Sequence, residues 1–160
     1  MTANARTVAL AGGQRVPYPD PVDAASRARG KANRRRDTKV EVAIRSALHR
    51  RGLRFRKDHL VRCSNGVRVR VDIAFTRAKL AVFVDGCFWH ACPDHGTTPT
   101  RNQDYWLPKL EANVQRDRRV GAALAADGWR VLRLWEHEDV MEAAAQVERK
   151  LSSLDQTRRS

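Results

Sequence analysis

Lys79-Leu80-Ala81-Val82-Phe83-Val84 carries apolar residues at both odd and even positions. A strand of this kind must be covered on both faces, which calls for helices on either side of its sheet. Just upstream, Val67-Arg68-Val69-Arg70-Val71-Asp72-Ile73 alternates with period two, the pattern of a strand with one apolar face. Ser64-Asn65-Gly66 before it reads as a turn, and Leu53 to Arg56 as a further short strand. Thr38 and Glu41 have the spacing of a helix-opening capping box, followed at helical period by Val40, Ala43, Ile44, Ala47 and Leu48, with Gly52 as the stop. Downstream, residues 85–103 form a long loop. A helix is expected from Pro108 to Asp127, with Pro108 in its first turn, Leu110, Val114 and Leu124 inward, and Gly128 at its end. Trp129 to Trp135 reads as another strand, and Val140, Ala144, Val147 and Leu151 mark a last helix. The order α-β-β-β-α-β-α predicts an α/β fold, a mixed β-sheet flanked by helices.

The chain has 160 residues with 31 Lys and Arg against 18 Asp and Glu, a formal net charge of +13. Such a balance in a small protein attracts polyanions, nucleic acid first among them. Residues 1–36 show no helical or strand period, contain Gly12-Gly13, Pro17, Pro19 and Pro21, and end in Arg34-Arg35-Arg36. They read as a basic, disordered arm, with one folded domain over 37–155 and a tail over 156–160. The first residues lack the apolar centre of a secretory signal, and Leu80 to Val84 is far too short to span a bilayer. With three cysteines, Cys63, Cys87 and Cys92, a reducing cytoplasm is the expected compartment, where clustered cysteines bind metal more often than they pair.

Asp85-Gly86-Cys87-Phe88-Trp89-His90-Ala91-Cys92-Pro93-Asp94-His95 is the densest stretch of chemistry. Cys87, Cys92 and His95 on one loop offer soft ligands at the spacing of a closed structural zinc site. His137, just past the last strand, is the expected fourth ligand, with Cys63 and Asp94 as alternatives. A second set is acidic. Asp72 and Asp85 end adjacent strands and can share Mg²⁺ with a phosphate, and Glu41 from the first helix can join through water. Each also has a plainer role open to it: Glu41 as the capping acid, Asp72 as an arginine partner, Asp85 as a turn former. Strand parity places Asp72 beside Arg68 and Arg70, opposite Val69, Val71 and Ile73. The third set is aromatic. Phe88 and Trp89 in the loop, with Tyr105-Trp106 before the next helix, either pack over the metal or wedge between base pairs.

Thr38-x-x-Glu41, Val71-Asp72, Phe83 to His95, Tyr105-Trp106-Leu107, Asn113, Arg116-Asp117-Arg118-Arg119 and Gly128 through His137 occur in that order. Together they resemble the very short patch repair endonucleases of bacteria, over most of the domain. The resemblance implies a restriction-endonuclease-like fold and nicking of duplex DNA beside the thymine of a T:G mismatch, the lesion left when 5-methylcytosine deaminates. By position, Asp72 resembles the family's magnesium-binding aspartate, the Val84 carbonyl its backbone ligand, and His90 the histidine that activates water. Glu41 resembles the helix glutamate near the metal, and Phe88, Trp89 and Trp106 the residues that intercalate beside the mismatch. Two positions depart from the family pattern: Asp85 stands where the best-known members have histidine, and His137 where they have a cysteine zinc ligand. Arg116, Arg118 and Arg119 are expected on phosphates, and the protein is expected to act as a monomer in the bacterial cytoplasm. Rival readings are a restriction-type endonuclease cutting both strands and a non-catalytic, zinc-stabilised DNA-binding module.

Overall fold

The structure, a computed structural model, describes residues 7–9, 15–17, 38–87, 92, 94 and 103–159. Two short strands come first, β1 (Thr7–Ala9) and β2 (Arg15–Pro17), paired antiparallel with Val8 opposite Val16. The arm therefore contains a ladder that its sequence does not announce, since three-residue strands are too short to set up an alternation. The domain elements are α1 (Lys39–Arg50), β3 (Arg56–Arg62), β4 (Arg68–Phe75), β5 (Leu80–Asp85), α2 (Gln103–Ala126), β6 (Arg130–Trp135) and α3 (Val140–Arg159). The expected order of elements holds, and the sheet runs β3-β4-β5-β6, antiparallel except for the parallel β5–β6 pair. That parallel pair is joined through α2, the crossover such a pair requires.

Helices cover both faces. On one, Ile44, Ala47 and Leu48 of α1 and Ala143, Ala144 and Val147 of α3 pack on Ile73, Phe75, Leu80, Val82 and Leu134. On the other, Ala123 and Leu124 of α2 and Trp129 pack on Val61, Cys63, Val69, Val71, Ala81 and Phe83. β5 thus feeds both cores alternately, as its unbroken apolar run demands. No helix among the described residues is long and apolar enough to cross a membrane.

Several boundaries differ from the sequence reading. β3 begins at Arg56 rather than Leu53, because Leu53 and Phe55 instead tuck onto the α1–α3 core. Its solvent-facing polar residues Arg56-Lys57-Asp58 hide the strand period. α2 begins at Gln103, so Tyr105 and Trp106 lie within the helix and Pro108 sits beyond its first turn, where the ring forgoes the bond to the Asp104 carbonyl. α3 continues through Arg159, so residues 156–159 extend a helix rather than form a separate tail.

The largest difference lies in β4. Val69 and Val71 face α2, yet Ile73 joins Phe75 on the opposite face, so the alternation reverses at Asp72. The partner strand is distorted at the same level: Asp58, across from Asp72 in the β3–β4 register, has φ of 48°. Beyond this point β4 leaves β5, whose pairing with it covers only Ile73 to Phe75. The β3–β4 hairpin then curls over α2, and its turn is held by Asp127, which accepts from the Ser64 N–H at 2.8 Å and the Ser64 hydroxyl at 2.5 Å.

Candidate active site and metal centre

Asp72 sits where β4 and β5 part. Its Oδ2 accepts the Val84 N–H at 2.9 Å, taking the place of a ladder acceptor. Burial pushes the carboxyl up to about 6, and the charges of Glu41, Asp85 and Asp58 add to the rise while the Val84 N–H opposes it. A half-buried carboxylate among other acids is in deficit of positive charge, and a cation is the direct remedy.

Glu41 enters from the first turn of α1 and is buried. Thr38 caps the helix by accepting the Glu41 N–H at 3.2 Å, and its hydroxyl donates to Glu41 Oε1 at 3.1 Å. Arg45, one turn on, lies 3.7 Å from Glu41 Oε2. The capping role and an influence on Asp72 are thus compatible, since Glu41 keeps its Thr38 bonds while its charge raises the Asp72 carboxyl.

Asp85 is buried at the end of β5 and bonded to Arg133 at 2.6 Å. Arg133 also reaches Asp117 at 3.4 Å and lies 5.0 Å over the Phe83 ring. The Asp85 carboxylate is therefore neutralised by a guanidinium rather than left open. Sequence reading missed Arg133; its only signal is an arginine inside the otherwise apolar run Val131 to Trp135. Asp117 turns inward to meet it, while Arg116, Arg118 and Arg119 remain exposed on α2.

Cys87, Cys92 and His137 come together. His137 Nδ1 lies 3.0 Å from Cys87 Sγ and 3.7 Å from Cys92 Sγ, and the three ligand atoms lie within 4.8 Å of one another. Among the described residues no other trio of His, Cys, Asp or Glu is as close. The Cys87 N–H donates to Glu136 Oε1 at 2.8 Å and the Cys92 N–H to the Cys87 carbonyl at 3.0 Å, so the Glu136 side chain ties Cys87 to the residue after β6. His137 stacks on Trp135 at 6.5 Å between ring centroids. Burial pushes the Cys87 thiol up to about 11; a coordinated cation would instead hold it as thiolate. Two sulfurs and one imidazole nitrogen are three parts of a tetrahedral donor set, a group able to hold a metal ion.

Cys63 is buried in the α2-side core, away from that trio, and burial raises its pKa. Asp94 is exposed and does not join the trio either. Trp106 is half-buried on α2, meeting Tyr105 edge-on at 4.9 Å, with Lys109 Nζ 5.4 Å from its ring centroid. Phe88, Trp89, His90 and His95 lie outside the described residues.

A family model described as DNA mismatch endonuclease Vsr matches residues 20–94. The chain is 56% identical over 130 residues to the type II nicking enzyme V.NaeI of Lentzea aerocolonigenes, covering 81% of this chain and 78% of that protein. It is 44% identical over 106 residues to a type II nicking enzyme of Xanthomonas oryzae, covering 66% and 74%. The DNA mismatch endonuclease Vsr of Escherichia coli is 35% identical over 102 residues, 63% of this chain and 62% of that one. The chain accordingly belongs to the Vsr family, and it is a DNA-nicking endonuclease.

Proposed function

We propose that this enzyme nicks one strand of duplex DNA beside the thymine of a T:G mismatch, using Mg²⁺ at Asp72 and zinc as a structural ion, as a monomer in very short patch repair. The observation that carries the reading is the Asp72 carboxylate, seated on the Val84 amide at the parting of β4 and β5 among the charges of Glu41 and Asp85. An acidic cluster at a strand break in a strongly basic chain suits a polyanionic substrate only if a cation lies between them.

Asp72 and the Val84 carbonyl are the proposed magnesium ligands, with Glu41 acting on the ion's water. Mg²⁺ held there would supply Lewis-acid polarisation of the scissile phosphate and charge stabilisation as the bond breaks. His90 orients and deprotonates the attacking water. The bond from phosphorus to the 3′ oxygen breaks, that oxygen takes up a proton, and a 5′-phosphate and 3′-hydroxyl remain. Asp85, held by Arg133, acts as a fixed wall of the site rather than as a metal ligand. Cys87, Cys92, His95 and His137 hold the zinc, whose thiolate and imidazole chemistry fits the observed trio. That ion would stiffen the loop carrying Phe88 and Trp89, the residues that with Trp106 would insert beside the mismatch. Arg116, Arg118 and Arg119 contact phosphates and set register.

The test is a strand-resolved nicking assay on end-labelled T:G and T:A duplexes of identical sequence, with and without Mg²⁺. The expected result is one nick, in the thymine strand, on the mismatched duplex with Mg²⁺ present. Cleavage of both strands of the matched duplex would identify a restriction-type enzyme. Binding that survives Asp72→Ala while nicking is lost excludes a purely non-catalytic DNA-binding module.

A further inference from the structure

The β3–β4 hairpin has one face buried on α2 through Val61, Cys63, Val69 and Val71. Its other face bears Leu60, Arg62, Arg68 and Arg70, because cross-strand partners share a face and Leu60 pairs with Arg70 and Arg62 with Arg68. The three arginines are exposed. Arg70 is balanced, 3.1 Å from Asp58. Arg62 and Arg68 have no carboxylate partner among the described residues, although they stand directly opposite each other. Side chains so placed start about 5 Å apart, and like charges there repel. Two guanidinia at that spacing can grip one phosphate, each through its planar fork of donors.

Position adds a second argument. Arg68 and Arg70 lie on the strand that carries Asp72, and Arg68 is four residues away, about 13 Å along an extended chain. Phosphates near a cleaved bond fall within that reach, and the arginines on that face are exposed among the described residues.

We propose that Arg62 and Arg68 form a phosphate clamp on the DNA backbone flanking the cleavage site. This rests on the nicking reading above and adds a second contact surface to the one on α2. The clamp reads charge rather than base, so it acts alike on mismatched and matched duplexes.

The experiment measures binding to T:G and T:A duplexes without Mg²⁺, from 50 to 200 mM salt, for the wild type, Arg62→Gln/Arg68→Gln and a control of equal charge loss. The control is Arg54→Gln/Arg77→Gln, which alters a cavity of about 700 Å³ at the far end of β4. Loss of two phosphate contacts lowers the slope of log K against log salt by about 1.8. Across that salt range the wild type then loses about twelvefold more affinity than the hairpin variant, on both duplexes. The control keeps the wild-type slope, and the hairpin variant melts no lower than wild type, because repulsion has been relieved. An unchanged slope in the hairpin variant, or an equal fall in the control, overturns the clamp. Should the wild type fail to nick T:G DNA, the functional reading fails, and the slopes on matched duplex still judge the clamp by themselves.

Discussion

Replacing Asp72 by asparagine should abolish nicking and yet strengthen the fold. The Asp72 carboxyl stands at about 6 against an ordinary 3.8, chiefly through burial and then through the charges of Glu41, Asp85 and Asp58. That difference corresponds to about 3 kcal/mol of penalty on the ionised form. An asparagine oxygen can still accept the Val84 N–H, but its amide must find an acceptor of its own, so the expected net gain is about 1–2 kcal/mol. For a domain of this size that is a rise in Tm of roughly 4–8 °C. The sign depends on pH. A carboxyl raised in the folded state carries its full penalty above pH 6, and the penalty shrinks as pH falls toward 3.8, because the folded chain takes up the proton first. The penalty should therefore fall by about 1.4 kcal/mol between pH 8 and pH 5, which takes the advantage of Asp72→Asn to near zero at pH 5. Paired urea melts without added Mg²⁺ measure it, and both proteins share the same Cys/His centre, so its own pH response is common to the two. A variant less stable than wild type at pH 8, or an advantage equal at both pH values, would refute the charge-deficit account of this site.

Nicking at subsaturating Mg²⁺ should decline as pH drops below about 6, and higher Mg²⁺ should move that limb to lower pH, because the cation binds the ionised carboxylate; a limb indifferent to Mg²⁺ would assign it to another group. Purified protein should contain one zinc per chain: His137→Ala should lower that content with loss of stability, whereas His137→Cys, which supplies a thiolate in place of imidazole, should retain it by elemental analysis. Trp106→Ala should weaken binding to T:G DNA more than to T:A DNA, by a free energy of up to a few kcal/mol if its ring recovers the cost of unstacking; equal losses in paired titrations would mean that Trp106 only packs on Tyr105.

Hydrophobic period carried most of the fold. β5 could be recognised because its residues serve two cores, and α1 because Thr38 and Glu41 cap it as their spacing implies. The cysteine–histidine pairing was legible for a chemical reason: Cys87, Cys92 and His137 flank the ends of β5 and β6, parallel neighbours whose ends meet. The reversal at Asp72 was not legible. Val67 to Ile73 alternates cleanly in composition, but the face each residue takes is set by the distortion at Asp58 and the hairpin's curl over α2, which are tertiary effects. Arg133 was hidden likewise, since its role depends on Asp85 and Asp117, far away in sequence. Pro108 misled because its usual place is a helix's first turn, whereas here the helix begins five residues earlier.

The substitution of a side-chain acceptor for a ladder acceptor at Val84 gives the molecule an internal gauge. An amide bonded to a backbone carbonyl reports only the opening of its sheet, but this one reports the electronic state of a single carboxylate. Its nuclear resonance frequency should move when the carboxyl gains a proton or engages a cation, while the amides of Ala81 and Val82, deeper in the ladder, stay still. Exchange with solvent deuterium should be similarly uneven, fastest where β4 and β5 have parted and slowest at Leu80 to Val82, where their pairing persists. The working end of β5 is thus paired with β6 alone, and occupancy there can be followed at one backbone position without observing any cleavage.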